Sequence, residues 1–166
     1  MDGQTIFALH GEQSSLVVEL PPAGEPLWRY WGPRLADDFD CGGALSALRP
    51  LASFSLEEPV QMAVFPGFGM GWFVQSALLA HRDGRDFAFA PTQAKVDYAD
   101  GNRLSITLND NVAGIGATLH LTLDGGSDVL TIRTSLRNVG TGPLSVQWLA
   151  AASLPLPAAA HFVRST

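Results

Sequence analysis

The chain has 166 residues, of which 46% are hydrophobic and 16% charged, with 17 glycines and 11 prolines. A chain of this length buries a core without covalent cross-links, and its single cysteine excludes an intramolecular disulfide or a four-cysteine zinc site. Sixteen acidic and ten basic residues give a net charge of −6 without any basic run, so no nucleic-acid partner is expected.

The N-terminus gives no targeting signal. The first ten residues lack the basic region and the long apolar segment of a secretory signal peptide. No apolar run in the chain is long enough to span a bilayer, so no membrane partner is expected. These features favour a cytoplasmic protein, although a mature chain that had lost its signal would look the same.

The first half of the sequence predicts short strands followed by a long loop region. Alternation of apolar and polar residues predicts strands at 5–10, 15–20 and 27–31. On the third strand, Trp28 and Tyr30 should share one face, and Arg29 and Trp31 the other. Closely spaced glycines and prolines interrupt every element over 32–73, and a loop region of this length is typical of a functional or interface segment.

The second half is almost entirely strand-like. Alternation predicts strands at 74–82, 87–89, 94–98, 104–108, 119–123, 130–136 and 146–150. The last four should form a meander, joined by tight turns that contain glycine, aspartate or proline. Nine to eleven strands at hairpin spacing predict one all-β domain over 1–166, an antiparallel sandwich with little helix.

Few side chains point to chemistry. The sequence contains neither a glycine-rich phosphate loop nor a Gly-x-Ser-x-Gly elbow. The four histidines are isolated from one another, so neither a metal site nor a cofactor is expected. Cys41 lacks a neighbouring cation that would lower its pKa, which favours a partly buried, unreactive thiol.

Two clusters keep a carbohydrate role open. The first consists of Asp37, Asp38 and Asp40, which could bind sugar hydroxyls or calcium or act as acids and bases, with solvated loop carboxylates as the alternative. The second is the group of aromatic residues near Trp28. An exposed tryptophan ring can stack on a sugar ring, but core packing is the competing interpretation for each of these side chains.

Short segments in a fixed order along nearly the whole chain carry a family resemblance. They are FALH at 7–10, SSLVV at 14–18, LWRYWGPRL at 27–35, SFSL at 53–56, GMGWF at 69–73, HRDGR at 81–85, LSITLND at 104–110, AGI at 113–115, DVLTIR at 128–133, LRNVG at 136–140 and AASLPLP at 151–157. No single segment is diagnostic, but their collinear order resembles the N-terminal region of family 36 glycoside hydrolases, the bacterial α-galactosidases.

This resemblance implies a β-supersandwich that precedes a catalytic (β/α)8 barrel. A barrel needs about 250 residues, so the chain is expected to be a fragment of a larger enzyme that hydrolyses terminal α-galactosides, and to be inactive alone. The triplet Lys95-Val96-Asp97 matches the Lys-x-Asp context of the family's nucleophile. It lies inside the sandwich pattern without a second acid of the barrel type, so we interpret it as a coincidence and expect no catalytic residue here.

The resemblance also implies a homo-oligomer in which a loop of one N-terminal domain reaches the active-site mouth of another subunit. That loop would fall within 37–71, and Trp31, Arg49 and Trp72 are the candidates for substrate or subunit contact. Each has a core or solvated interpretation as its alternative. Unpaired sheet edges predict that the isolated chain self-associates. A free-standing carbohydrate-binding module is the alternative function.

Overall fold

The computed structural model describes residues 5–41, 61–70 and 75–154. These residues form nine strands and one short 3-10 turn at Phe68–Met70. The strands are β1 (Thr5–His10), β2 (Ser14–Leu20), β3 (Leu27–Pro33), β4 (Leu78–His81), β5 (Gln93–Ala99), β6 (Arg103–Asp110), β7 (Ile115–Leu123), β8 (Leu130–Asn138) and β9 (Ser145–Leu149). All the described strand pairs are antiparallel, which confirms the predicted all-β architecture.

The strands form three sheets around one core. Their orders are β1-β2-β3, β4-β9 and β5-β6-β7-β8. Alternate residues of the strands face inward, as the period of two requires. The largest fully buried side chains come from all three sheets and two connecting segments: Leu9, Leu16, Trp28, Phe65, Leu78, Phe89, Leu104, Ile106, Leu108, Ile115, Leu119 and Leu121. In the described part of the chain, no helix has the length and apolar character needed to cross a membrane.

The predicted four-strand meander is wrong in its last member. Strand β9 pairs with β4, and the fourth strand of the large sheet is β5. The backbone N–H groups of Val139 and Gly140 both donate to the carbonyl oxygen of Gly114 at 2.9 Å. These two bonds hold the segment that follows β8 against the β6–β7 turn. From there the chain continues into β9, beside β4.

The predicted division of faces on β3 is also wrong. Pairing with β2 joins Val17 to Tyr30 and Val18 to Trp28, which leaves Arg29 as an extra residue in a β-bulge. A bulge shifts the alternation by one residue. Trp31 therefore lies on the same side as Trp28 and packs, half-buried, against the core.

Two predicted strands are reduced in the structure. The strand predicted at 74–82 is confined to β4, and residues 87–89 are not a strand. Phe89 is buried in the core, with its ring edge-on to Phe65 at 5.9 Å between centroids. A Cβ atom on Gly67 would stand 2.2 Å from the carbonyl oxygen of Phe89, so only glycine allows these two segments to pack this closely.

The predicted loop region at 32–73 is partly described. Strand β3 continues to Pro33, and residues 34–41 and 61–70 form no strand. Residues 42–60 and 71–74, which belong to the same predicted loop, lie outside the described part of the chain.

Candidate functional site

Of the three predicted contact residues, the structure describes one. Trp31 lies on β3, half-buried against the core beside the bulge. Arg49 and Trp72 lie outside the described residues. The triplet that ends at Asp97 lies on the edge strand β5, where the Asp97 carboxylate accepts a hydrogen bond from Thr107 Oγ1 at 2.5 Å.

Three of the collinear segments meet at one end of the sandwich, around Arg82. This residue follows β4, and its guanidinium donates to the carbonyl oxygens of Ala113 and Gly114 and to Asn138 Oδ1. Asp86 Oδ2 lies 3.4 Å from Arg82 Nη1. The turns that follow β4, β6 and β8 are therefore joined through a single side chain, which is 13% exposed.

Two glycines make room for this guanidinium. A Cβ atom on Gly140 would lie 2.7 Å from Arg82 Nη2, and one on Gly114 would lie 2.7 Å from the Gly140 Cα. Gly114 also has a φ of 63°, a conformation that side chains disfavour. The glycines of the AGI and LRNVG segments thus have a packing role at this end of the molecule.

Asp110 closes the same end from inside. It is 2% exposed, and its Oδ1 accepts from the backbone N–H groups of Val112 and Ala113, both at 2.9 Å. Its Oδ2 accepts from the N–H of Ala90 at 2.8 Å. Both oxygens are engaged by backbone donors, which suits a structural carboxylate and not a proton-transfer group.

A surface cavity of about 490 Å³ lies beside Arg82, lined also by Asp86, Asn111, Thr141 and the turns at 112–114 and 139–140. The guanidinium of Arg82 donates to two residues that line this cavity, Ala113 and Gly114, and to Asn138 behind them in sequence. This arrangement holds three turns in place, and it does not place two carboxylates across a space where a glycosidic bond would be cleaved.

A buried carboxyl group, Glu25, joins the β2–β3 connection to the segment at 61–70. It is 6% exposed and accepts a hydrogen bond from the Gly67 N–H at 2.5 Å. Burial raises the pKa of Glu25 to about 8, against the smaller lowering effect of this bond. Since the neighbouring segments 61–70 and 87–90 contain no titratable residue, we expect a neutral carboxyl at pH 7.

Sequence reasoning missed Arg82, Asp110 and Glu25 as individually important residues. The first two lay within segments that carried the resemblance, but only the fold shows which backbone groups they bind. Glu25 stands alone between Gly24 and Pro26. An isolated acid in a turn is ordinarily solvated, so its sequence gave no signal of burial.

The remaining polar candidates form no metal site in the described ranges. No group of three or more His, Cys, Asp or Glu side chains there could hold an ion. Asp37 accepts from Arg34 Nη2 at 2.7 Å and is exposed. Cys41 is half-buried, and burial together with the nearby Asp40 raises the pKa of its thiol. A raised thiol pKa opposes nucleophilic reactivity.

The chain is similar to the N-terminal parts of much longer proteins. The family model for the glycosyl hydrolase family 36 N-terminal domain matches residues 24–166. At the level of sequence, no curated protein matches significantly.

Solved structures show the same fold. The α-galactosidase AgaA from Geobacillus stearothermophilus has a TM-score of 0.63 at 20% identity, over 87% of this chain and 24% of that one. The α-galactosidase from Lactobacillus brevis has a TM-score of 0.64 at 17% identity, over 89% and 23%. The galactosidase domain of the α-galactosidase-sucrose kinase AgaSK has a TM-score of 0.65 at 20% identity, over 89% of this chain and 24% of that one. The chain spans about a quarter of the length of these relatives.

Proposed function

Because the chain belongs to the glycosyl hydrolase family 36 N-terminal domain family, we propose that it is the non-catalytic N-terminal domain of an α-galactosidase-like glycoside hydrolase. The observation that carries this proposal is the family match over residues 24–166, together with the shared fold. In this proposal the parent enzyme hydrolyses terminal α-galactosides. Its catalytic carboxylates lie in another domain, and this chain supports that domain.

The surface that would receive the rest of the enzyme is an apolar edge formed by Leu130, Ile132 and Leu136 of β8 and by Val146 and Leu149 of β9. The three β8 residues face the core side of their sheet but remain partly exposed. On β9, Val146 is 47% exposed and Leu149 is 38% exposed. Large apolar side chains grouped in this way are typical of a contact surface.

The pairing of β9 strengthens this argument. Val146 is paired with Ala80 and Leu149 with Leu78, and both β4 partners are buried. Directly paired residues project to the same side of a sheet. The core side of β4 is therefore covered while the core side of β9 is half open, which fits a core that another part of the enzyme completes.

We extend the proposal to assembly and to the substrate entrance. The segment 37–71 would contribute to contacts between subunits of a homo-oligomer, and Trp31, Arg49 and Trp72 would lie near those contacts or near substrate. Support in the described residues comes from Phe39 and Phe68, which are 39% and 52% exposed.

The first test is an activity assay combined with the gene sequence beyond the Thr166 codon. We expect the purified chain not to turn over an aryl α-galactoside, and the longer reading frame to encode a barrel with two catalytic carboxylates. Turnover by the chain alone, abolished by Asp97→Asn, would overturn the proposal. A stop codon after Thr166 would instead favour a free-standing carbohydrate-binding module.

The second test addresses the apolar edge. Light scattering should detect dimers or larger species of the isolated chain at micromolar concentration, because the edge has no cover. Val146→Asp should reduce this association, and in the longer enzyme it should lower the yield of soluble activity. The matched control is Val112→Asp, since Val112 is 89% exposed in the turn after β6 and lies outside the edge. Equal behaviour of the two variants would contradict the assignment.

A further inference from the structure

The outer face of the β5–β8 sheet presents polar side chains in regular cross-strand rows. In one row, Thr107, Thr118 and Ser135 stand opposite one another, and in the next row Ser105, His120 and Arg133 do so. The apolar residues between them in sequence point to the core. This face is therefore a continuous polar surface built on three paired strands, separate from the apolar edge.

Two arginines of β8 give this face an unbalanced positive charge. Arg133 and Arg137 are both exposed, and neither has a carboxylate within 4 Å in the described part of the chain. The other cations of the face are partly offset. Lys95 Nζ lies 3.8 Å from Asp97 Oδ1, and the charge of Arg103 acts on the neighbouring carboxylate of Asp100. In a chain with a net charge of −6, this positive strip is an exception.

The geometry of the strip suits an extended anion. Arg133 and Arg137 are four residues apart on one strand, so their Cα atoms are about 13 Å apart. Each guanidinium presents a planar fork of donors that matches a carboxylate. Between the two arginines on β8 lies Ser135, beside Thr118 on the neighbouring strand.

Hydrogen bonds hold the centre of the face in place. The hydroxyls of Thr107 and Thr118 lie 3.0 Å apart, and Ser105 Oγ lies 3.1 Å from His120 Nδ1. At the edge of the sheet, Tyr98 is 50% exposed, with its hydroxyl bonded to Asp100. Hydroxyls that both donate and accept, next to an exposed aromatic ring, match the hydroxyls and C–H faces of a sugar.

We propose that this outer face binds an acidic saccharide, with sugar carboxylates on Arg133 and Arg137 and sugar hydroxyls over the adjoining Ser and Thr rows. An acidic peptide would use the arginines, but it would leave the hydroxyl rows without a matching partner. A nucleic acid would need more cations than this face offers. The inference concerns a surface of this chain and does not depend on the activity of a parent enzyme.

The test uses the full 166-residue chain and an oligogalacturonate as the probe. Titration calorimetry should detect binding at low salt and weaker binding at physiological salt, where exposed charges are screened. The fully methyl-esterified oligomer, which has the same sugar but no charge, should not bind. Amide chemical-shift changes in the wild-type chain should centre on residues 133–137 of β8.

The variants localise the effect. Arg133→Gln and Arg137→Gln should each weaken binding by about tenfold, as expected for losing a charge-assisted hydrogen bond. Arg85→Gln, an exposed arginine in the turn after β4, is the matched control and should bind like the wild type. Thermal unfolding of all three variants should match the wild type, because these side chains are exposed.

Several results would overturn the proposal. Among them are no binding of the oligogalacturonate, equal binding of its methyl ester, and unchanged binding by the Arg133→Gln, Arg137→Gln double variant. Binding of an oligoglutamate peptide as tightly as the saccharide would assign the face to acidic peptides instead. Amide chemical-shift changes confined to another surface would likewise contradict the proposed binding face.

Discussion

The two ends of β7 are closed by different chemistry. At the carboxylate end, which comprises the turns at 11–13, 100–102 and 124–129, exposed Asp side chains accept backbone N–H groups. Asp128 binds the N–H and hydroxyl of Ser14 at 2.9 and 2.6 Å, which joins the first sheet to the large one. At the arginine end, which comprises the turns at 82–85, 111–114 and 139–142, Arg82 and Asp110 do the corresponding work from largely buried positions.

The same kind of hydrogen bond contributes more to stability where it is buried than where it is exposed. Water competes for the exposed carboxylates and can replace their bonds when they are removed. At the arginine end, removal of a buried partner leaves a carbonyl group without a donor or an N–H group without an acceptor. The loss in the free energy of unfolding is then larger.

The largest expected effect is at Arg82. Arg82→Ala removes donors to the carbonyls of Ala113 and Gly114 and to Asn138, so we expect a loss of about 3 kcal/mol in the free energy of unfolding. Urea denaturation monitored by tryptophan fluorescence measures this loss. Arg85→Ala is the matched control, and it should cost little because Arg85 is exposed. Equal losses for the two variants would show that the bonds of Arg82 to the three turns do not contribute specifically to stability.

A smaller effect is expected at Glu25, where stability should fall as pH rises. The pKa of this carboxyl is raised from 4.5 to about 8 in the folded chain. Between these values the unfolded chain loses its proton first, so stability falls as pH rises, and the fall ends once the folded group has ionised.

Glu25→Gln tests this dependence, because glutamine keeps an acceptor for the Gly67 N–H without titrating. The variant should be more stable than the wild type at pH 8, and the difference should shrink toward pH 4.5. Urea denaturation across this range is the measurement. Glu12→Gln, an exposed acid in the β1–β2 turn, serves as the control. If both variants gave the same pH profile, Glu25 would not be a buried neutral acid.

The smallest effect is expected at the carboxylate end. Hydrogen bonds from the Ser14 hydroxyl and from the Gln13 and Ser14 backbone lower the pKa of Asp128. Its contribution is therefore present above the unfolded value of 3.8 and is lost as pH falls through the folded value. Asp128→Asn should lower the melting temperature at pH 6 but not at the acidic limit, where both side chains are neutral. Asp38→Asn should leave the melting temperature unchanged at both pH values.

The strands were largely predictable from sequence. β6, β7 and β8 alternate along their length, and β1 and β2 are short apolar segments bounded by turn residues. The existence and approximate bounds of all five were predicted. Bulges were not predictable, because the extra residue opposite Val17 and Val18 changes no local pattern. The placement of Trp31 beside Trp28 on the core side depends on that bulge, so the sequence assigned it to the wrong face.

The functional residues divide in the same way. The order of short segments was enough to predict the family, because that order depends on the chain itself. That Arg82, Gly114 and Asn138 meet could not be predicted, since the hydrogen bonds of Arg82 join turns 32 and 56 residues away in a way that only the sheet pairing determines.

The sequence by itself determined the all-β class, the positions of most strands and the membership in the family, because alternation, turn residues and segment order are local or collinear properties. The pairing of β9 with β4, the face of Trp31, the burial of Glu25 and the convergence on Arg82 emerge only in the folded chain. Pairing and burial depend on which distant segments satisfy one another's backbone groups. Local alternation is the same whichever partner a strand has.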